Sequence, residues 1–252
     1  MERPIAVFDS GLGGLSVLRA LRRRMPHERF LYFGDSANAP YGSRPTEEIR
    51  ALTLRHAGRL FEAGAKALVV ACNTATSAAI GELRAQYPQR IIVGIEPALK
   101  LAVERHPHGC ILVMATEATL RERKFSALTE RYSGDCTIRR CPCPGLVEFV
   151  ERGELDSPAL DAHLRRELRP FLTPQPDAVV LGCTHYPFLR AAIARTVGAS
   201  CELLDGADGT ARETQRRLKE AGLLRTAGVG VVDLTDSEPA MLPLAERLLN
   251  AE

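Results

Sequence analysis

The sequence has no tryptophan, and aromatic residues make up only 5% of it, so Leu, Val, Ile and Ala must fill its core. No apolar run approaches the ~20 residues that a membrane-spanning helix needs, and no membrane association is expected. Residues 1–5 pass directly into an apolar stretch without the charged and long hydrophobic regions of a secretory signal, so the cytoplasm is the expected compartment. Excess charge is also lacking: 33 basic against 31 acidic side chains leave a net charge of +2. The clusters Arg22-Arg23-Arg24, Arg139-Arg140, Arg165-Arg166 and Arg216-Arg217 are scattered among acids. They read as solvated faces rather than a phosphate-tracking stripe, and no nucleic-acid partner is expected.

Several motifs are missing as well. There is no C-x-x-C pair, no Walker sequence and no G-x-G-x-x-G. The C-x5-R loop of cysteine phosphatases fails at both candidate cysteines, because position 78 is Ala and Arg190 comes one residue too late after Cys183. The cysteines (72, 110, 136, 141, 143, 183 and 201) number seven, an odd count that suits free thiols better than a disulfide framework. Cys141-Pro142-Cys143 has no second close Cys or His pair, so no metal is expected there. Cys110, Cys136 and Cys201 read as small packing residues.

What is present is a chain of 252 residues, 45% hydrophobic, long enough for one large domain or two smaller ones. Two stretches in it look alike. Val69-Val70-Ala71-Cys72-Asn73-Thr74 and Val179-Val180-Leu181-Gly182-Cys183-Thr184-His185 are each a short apolar run ending in a cysteine and hydrogen-bonding residues. Such runs suit buried parallel strands, and ligands gather at the carboxyl ends of such strands. Ile5-Ala6-Val7-Phe8 is a similar strand, followed by the turn Asp9-Ser10-Gly11-Leu12-Gly13-Gly14 and a helical pattern at Leu15, Leu18 and Leu21. Strand, glycine-rich turn and helix form an anion-binding layout, here better suited to a carboxylate or a tight turn than to a nucleotide. On position alone, Asp9 fits a helix cap as well as a catalytic role.

The rest alternates in the same way. Further strands are expected around Leu31-Tyr32-Phe33, over 91–97, over 110–116 and ending at Asp205, with a last one over 228–234. Helices are expected over 46–63, 75–87, 157–171, 188–197 and 211–221. The loop 34–42 is rich in turn residues and carries one tyrosine, Tyr41, expected at its surface. Cys183 follows Thr116 by 67 positions and Cys72 follows Asp9 by 63, so the chain reads as a degenerate duplication of one α/β unit. Two such units related by a pseudo-two-fold axis would turn matching strand ends, and two thiols, toward a shared cleft. Both thiols precede a helix start, where partial thiolate character is expected. Two opposed acid–base groups suit removal of a proton from one face of a carbon and return of one to the other, which is racemisation or epimerisation. Ser10, Asn73, Thr74, Thr116, Thr119 and Thr184 are donors of the kind that would stabilise the developing carbanion.

Phe8-Asp9-Ser10-Gly11-Leu12-Gly13-Gly14, Pro40-Tyr41-Gly42, Ala71-Cys72-Asn73-Thr74-Ala75-Thr76 and Leu181-Gly182-Cys183-Thr184-His185-Tyr186-Pro187 together resemble the glutamate racemases, in order and along essentially the whole chain. The resemblance implies two α/β domains with parallel-rich sheets and the active site between them. The ranges would be 1–96 plus 206–252 and 97–205, with the crossover near 95–99 and the return near Asp205. It implies cofactor-independent interconversion of L- and D-glutamate, supplying peptidoglycan synthesis, by a homodimer. The lysines, Lys66, Lys100, Lys124 and Lys219, offer no obvious pyridoxal site. By the same resemblance Cys72 acts on the D-enantiomer with Asp9, and Cys183 on the L-enantiomer with His185; Glu151 takes part in proton transfer. Ser10, Tyr41, Gly42, Asn73, Thr74, Thr116, Thr119 and Thr184 hold the substrate.

The chain departs from the family pattern at Glu148, where Pro is usual, at Glu122 and Phe125, where Ser and Tyr are usual, and at Gly206, where Ser is usual. Rival readings are another two-cysteine racemase or isomerase, acting on aspartate, hydantoins or maleate, and a binding protein that keeps the cleft without turnover. The Asn-Thr and Thr-His neighbours of the cysteines favour glutamate. Retention of Asp9, Cys72, Cys183 and His185 speaks against loss of catalysis.

Overall fold

The apolar runs become short strands in two separate sheets. They are β1 (Ile5–Asp9), β2 (Arg29–Gly34), β3 (Ala67–Val70), β4 (Ile91–Gly94), β5 (Cys110–Ala115), β6 (Thr137–Pro142), β7 (Ala178–Leu181), β8 (Glu202–Asp205) and β9 (Val231–Asp236). The structure is a computed structural model and describes residues 3–132 and 134–251. Met1, Glu2 and Glu252, which close the expected domain ranges, lie outside the described residues, as do Ser133 and the side chains of Arg123 and Lys124.

One sheet runs β4-β3-β1-β2-β9 and the other β6-β5-β7-β8, with every ladder parallel. Read from the other edge, the second order is β8-β7-β5-β6, the same as β4-β3-β1-β2 with each strand advanced by four. The repeat expected from the spacing of Asp9, Cys72, Thr116 and Cys183 is thus a repeat of topology. In each sheet the first strand of the unit lies between the second and the third, so the winding direction reverses beside it. A crevice opens at such a reversal, at the carboxyl ends of the strands.

The central strands β1, β3 and β7 are buried at every position, as expected where helices cover both faces. Helix Leu15–Arg24 buries Leu15, Val17, Leu18, Ala20 and Leu21 and carries Arg22, Arg23 and Arg24 in its last turn, where cations complement the helix dipole. The largest apolar cluster joins the sheets: Val7 and Val69 from one, Leu112, Met114, Val179 and Leu181 from the other. The chain leaves the first sheet after β4 and rejoins it through helix Ala207–Glu220 and β9. At Gly206 a Cβ would stand 2.4 Å from the Glu96 carbonyl oxygen, so a serine would require the two crossing segments to move apart.

The elements without a counterpart in the sequence reading include one strand and, besides helix Leu99–Arg105, one helix that ends at an expected site residue. Strand β6 was masked by Arg139 and Arg140, which break the apolar pattern. It is an edge strand, where such residues find partners outside the sheet. Arg139 donates to the carbonyls of Thr173 at 3.2 Å and Pro174 at 2.7 Å, and Arg140 donates to Thr129 Oγ1 at 2.6 Å while lying over the Phe125 ring. The helix that ends at a site residue is the short Leu146–Glu151.

Candidate active site

The strand ends of the two units meet. Asp9 closes β1 and Thr116 follows β5, while Cys72 and Cys183 each stand two residues beyond the third strand of their unit. All but Thr116 are buried, with Asp9 0%, Cys72 5% and Cys183 7% exposed. Helix Asn73–Gln86 begins directly after Cys72, two residues earlier than periodicity suggested, because the cysteine is itself the cap. Its Sγ accepts the Ala75 N–H at 3.4 Å, the role a serine or threonine oxygen usually fills. Ser10 Oγ lies 3.4 Å from the same sulfur.

The turn after β1 spans the interface. Asp9 Oδ1 accepts the Gly11 N–H at 3.1 Å, and Oδ2 accepts Thr184 Oγ1–H of the other unit at 3.0 Å. The anion-binding layout of this turn does hold a carboxylate, but one belonging to the protein: Leu12 N–H donates to Glu151 Oε1 at 2.8 Å. That oxygen also lies 2.6 Å from His185 Nε2, and His185 Nδ1 lies 3.6 Å from Cys183 Sγ. A sulfur–imidazole–carboxylate chain therefore runs from Cys183 to Glu151. Glu151 in turn borders a cavity of about 320 Å³ lined also by Ser36, Pro40, Glu148, Arg152 and Met241. Gly13 permits this approach, since a Cβ there would come within 2.4 Å of His185 Nδ1 and 2.5 Å of Thr184 Oγ1.

Burial sets the proton affinities. It pushes the Asp9 carboxyl up to about 6, although His185 and the Thr184 hydrogen bond pull the other way. Burial and the neighbouring Asp9 charge push the Cys72 thiol up to about 12. Cys72 therefore departs from the expected partial thiolate: the helix start donates one hydrogen bond, but desolvation outweighs it. For His185 burial works toward a lower value, yet hydrogen bonds to Cys183 and Glu151 overcome it and leave the imidazole well above its ordinary range. Burial thus favours the neutral form of the Cys72 thiol, while the contacts with Cys183 and Glu151 favour the protonated form of the His185 imidazole.

Thr74, Thr116 and Thr119 form a hydroxyl cluster, with Oγ1 separations of 3.0 Å (Thr74–Thr116), 3.2 Å (Thr74–Thr119) and 3.0 Å (Thr116–Thr119). Asn73 Oδ1 is buried without a hydrogen-bond partner. Gly42 packs on Thr116, where a Cβ would stand 2.9 Å from the threonine Cβ. The expectation of a surface-exposed Tyr41 is corrected. It is 1% exposed, and its hydroxyl donates to Asp35 Oδ2 at 2.7 Å, because an apolar pocket beside Phe8 and a buried carboxylate together satisfy both parts of the side chain. Asp9 makes its hydrogen bonds to Gly11 and Thr184, and it bears on Cys72 through charge and through the adjacent Ser10.

The family model for Asp/Glu/hydantoin racemase matches residues 15–214. The chain belongs to the Asp/Glu/hydantoin racemase family. A glutamate racemase from Clostridium perfringens is 45% identical to it over 249 residues, covering 98% of this chain and 96% of that one. The crystal structure of a glutamate racemase isoform from Bacillus anthracis matches with a TM-score of 0.90 at 29% identity, over 99% of this chain and 95% of that one. That of a glutamate racemase from Francisella tularensis in complex with D-glutamate matches with a TM-score of 0.87 at 26% identity, over 100% and 95%.

In this racemase family member the sequence pointed to the cysteines and their neighbours by their place at strand ends. It gave no comparable sign of Glu151, which lies at the end of an unrecognised helix and was reached by resemblance alone. Residue types also gave no hint of Asp35 and His56: Asp35 meets the site through Tyr41 and through its own N–H, which donates to the Asp9 carbonyl at 3.0 Å, and His56 lies against Asp35. Among the described residues no group of three or more His, Cys, Asp or Glu side chains is placed to hold a metal, and no helix is long and apolar enough to cross a membrane.

Proposed function

We propose that this chain is an isomerase that interconverts L- and D-glutamate at Cα with two cysteines and no cofactor, supplying D-glutamate for peptidoglycan. The observation that carries the reading is the placing of Cys72 and Cys183 at equivalent strand ends of two like units, joined by the Asp9–Thr184 hydrogen bond. The units 1–96 plus 206–252 and 97–205 act as lobes that close over the substrate.

With L-glutamate bound, Cys183 as thiolate takes the Cα proton, and the Cys72 thiol gives its own proton to the opposite face. The product is D-glutamate, a Cys72 thiolate and a Cys183 thiol. The reverse reaction starts from that state. The protonated resting state of Cys72 suits it as the donor in the first direction. His185 and Glu151 pass protons to and from Cys183. Asp9 resists accumulation of charge on Cys72, so that thiolate forms only when the substrate's cationic ammonium is present. Asn73 Oδ1 is an acceptor of the kind that ammonium requires, and the threonine cluster with Ser10 and Thr184 offers hydroxyls to the carboxylates.

A chirality-sensitive assay on the purified chain, without added cofactor, tests this directly. Each glutamate enantiomer is expected to racemise, with aspartate turned over at least a hundredfold more slowly. Turnover of aspartate in preference to glutamate would move the chain to another activity of the same family.

A further inference from the structure

Asp35 is a fully buried carboxylate outside the proposed proton chemistry, yet it gathers hydrogen bonds from three directions. Tyr41 Oη–H donates to Oδ2 at 2.7 Å, His56 Nε2 lies 3.0 Å from the same oxygen, and Asn38 Nδ2 donates to both oxygens at 3.0 and 3.1 Å. Burial by itself would raise the carboxyl's proton affinity, but the bonds from His56, Tyr41 and Asn38 outweigh it and hold Asp35 well below the usual carboxylate range. His56 reaches in from helix Thr46–Glu62 and is fixed between rings, its centroid 5.6 Å from Phe8 and 4.8 Å from Phe33. The carboxylate therefore ties the loop that follows β2 to a neighbouring helix and to itself.

The residue next to the tethered tyrosine is Gly42, which lies against Thr116 of the other unit and so beside the Thr74–Thr116–Thr119 hydroxyl cluster. Gly42 is the chain neighbour of Tyr41, so the place of that ring bears on how the turn meets Thr116. We propose that Asp35, held by His56, is a positioning residue for substrate binding: through Tyr41 it presets the Pro40–Tyr41–Gly42 turn as one wall of the glutamate site before substrate arrives. Charge-assisted bonds suit this task because they are stronger than neutral ones and fix direction. Preset walls lower the ordering cost of binding, so Asp35 contributes to affinity without touching the ligand.

The inference rests on the glutamate reading, and the wild-type chain is the control that separates the two. Steady-state racemisation is measured in both directions for wild type, Asp35→Asn, Tyr41→Phe and His56→Gln, with thermal unfolding of each. Asp35→Asn is expected to raise KM for both enantiomers about tenfold, the size of one lost charge-assisted bond, with kcat within about threefold. Enantiomers are equal in energy, so kcat/KM must fall equally in the two directions. Tyr41→Phe, which keeps the ring, is expected to show a smaller KM increase of the same kind. His56→Gln, which keeps a neutral donor toward Asp35, is expected to show a KM increase smaller than that of Asp35→Asn. Unchanged KM in a folded Asp35→Asn would overturn the proposal. So would a loss of kcat at constant KM, or an activity loss that only follows the unfolded fraction. Failure of wild type itself to turn over glutamate would instead overturn the function proposed above.

Discussion

Asp9 illustrates how a single residue acquires two obligations. It must accept Thr184 from the opposite unit, which favours its charged form, and it is sealed from water, which disfavours it. With a native value near 6 against about 3.9 in an unfolded chain, the folded protein holds the proton more tightly. Its contribution to stability is then fully present below about pH 4 and is lost as the pH rises through 6. Urea unfolding of wild type and Asp9→Asn at pH 4 and pH 7.5 reads this out. The variant is expected to gain on the order of 2 kcal/mol relative to wild type between those values, and a pH-independent difference would count against a raised Asp9. Cys72 follows the same physics. A helix start leads one to expect partial thiolate character from sequence, whereas burial beside a carboxylate yields a neutral thiol.

At the scale of elements, the glycine turn after β1 does what a strand end alone could not. It brings the Leu12 N–H to Glu151 and lets His185 and Thr184 lie directly against the main chain at Gly13. Gly13→Ala introduces a methyl 2.4 Å from His185 Nδ1, and the imidazole must move. A misplacement of about 1 Å costs about a hundredfold in rate at a reacting group, the place His185 takes in the proposed mechanism. The variant is expected to keep its circular dichroism spectrum and lose about that factor in kcat/KM; activity within twofold of wild type would mean that the turn and the imidazole are not in register. Two further elements show where sequence patterns stop being informative. β6 carries two arginines, which an edge position tolerates because their partners lie beyond the sheet. Helix Leu146–Glu151 is a bare six residues, too short for an apolar periodicity to stand out from the turn that precedes it.

For the molecule as a whole, the duplicated topology was legible in the sequence because parallel strands buried on both faces are written as apolar runs, and because cysteines close two of them. The carboxyl-end rule then located Cys72, Cys183, Asp9 and Thr116 without coordinates. Tyr41, Glu151, Asp35 and His56 were not legible in that way. Their positions depend on how a loop and a short helix fold over the strand ends, and long-range contacts leave no local signature. The orders β4-β3-β1-β2 and β8-β7-β5-β6 place the two switch points so that one thiol comes from each unit. That arrangement has one purpose in the mechanism proposed here, which is to keep the two bases on opposite faces of a planar carbon.

Proton nuclear magnetic resonance in deuterium oxide, started from each pure enantiomer without cofactor, tests that claim most directly. Two opposed bases put solvent deuterium at Cα of the newly formed enantiomer, while the starting enantiomer keeps its protium during early turnover. Equal early labelling of both enantiomers, or inversion with the original proton retained, would mean that one base serves both faces, and the mechanism would be contradicted.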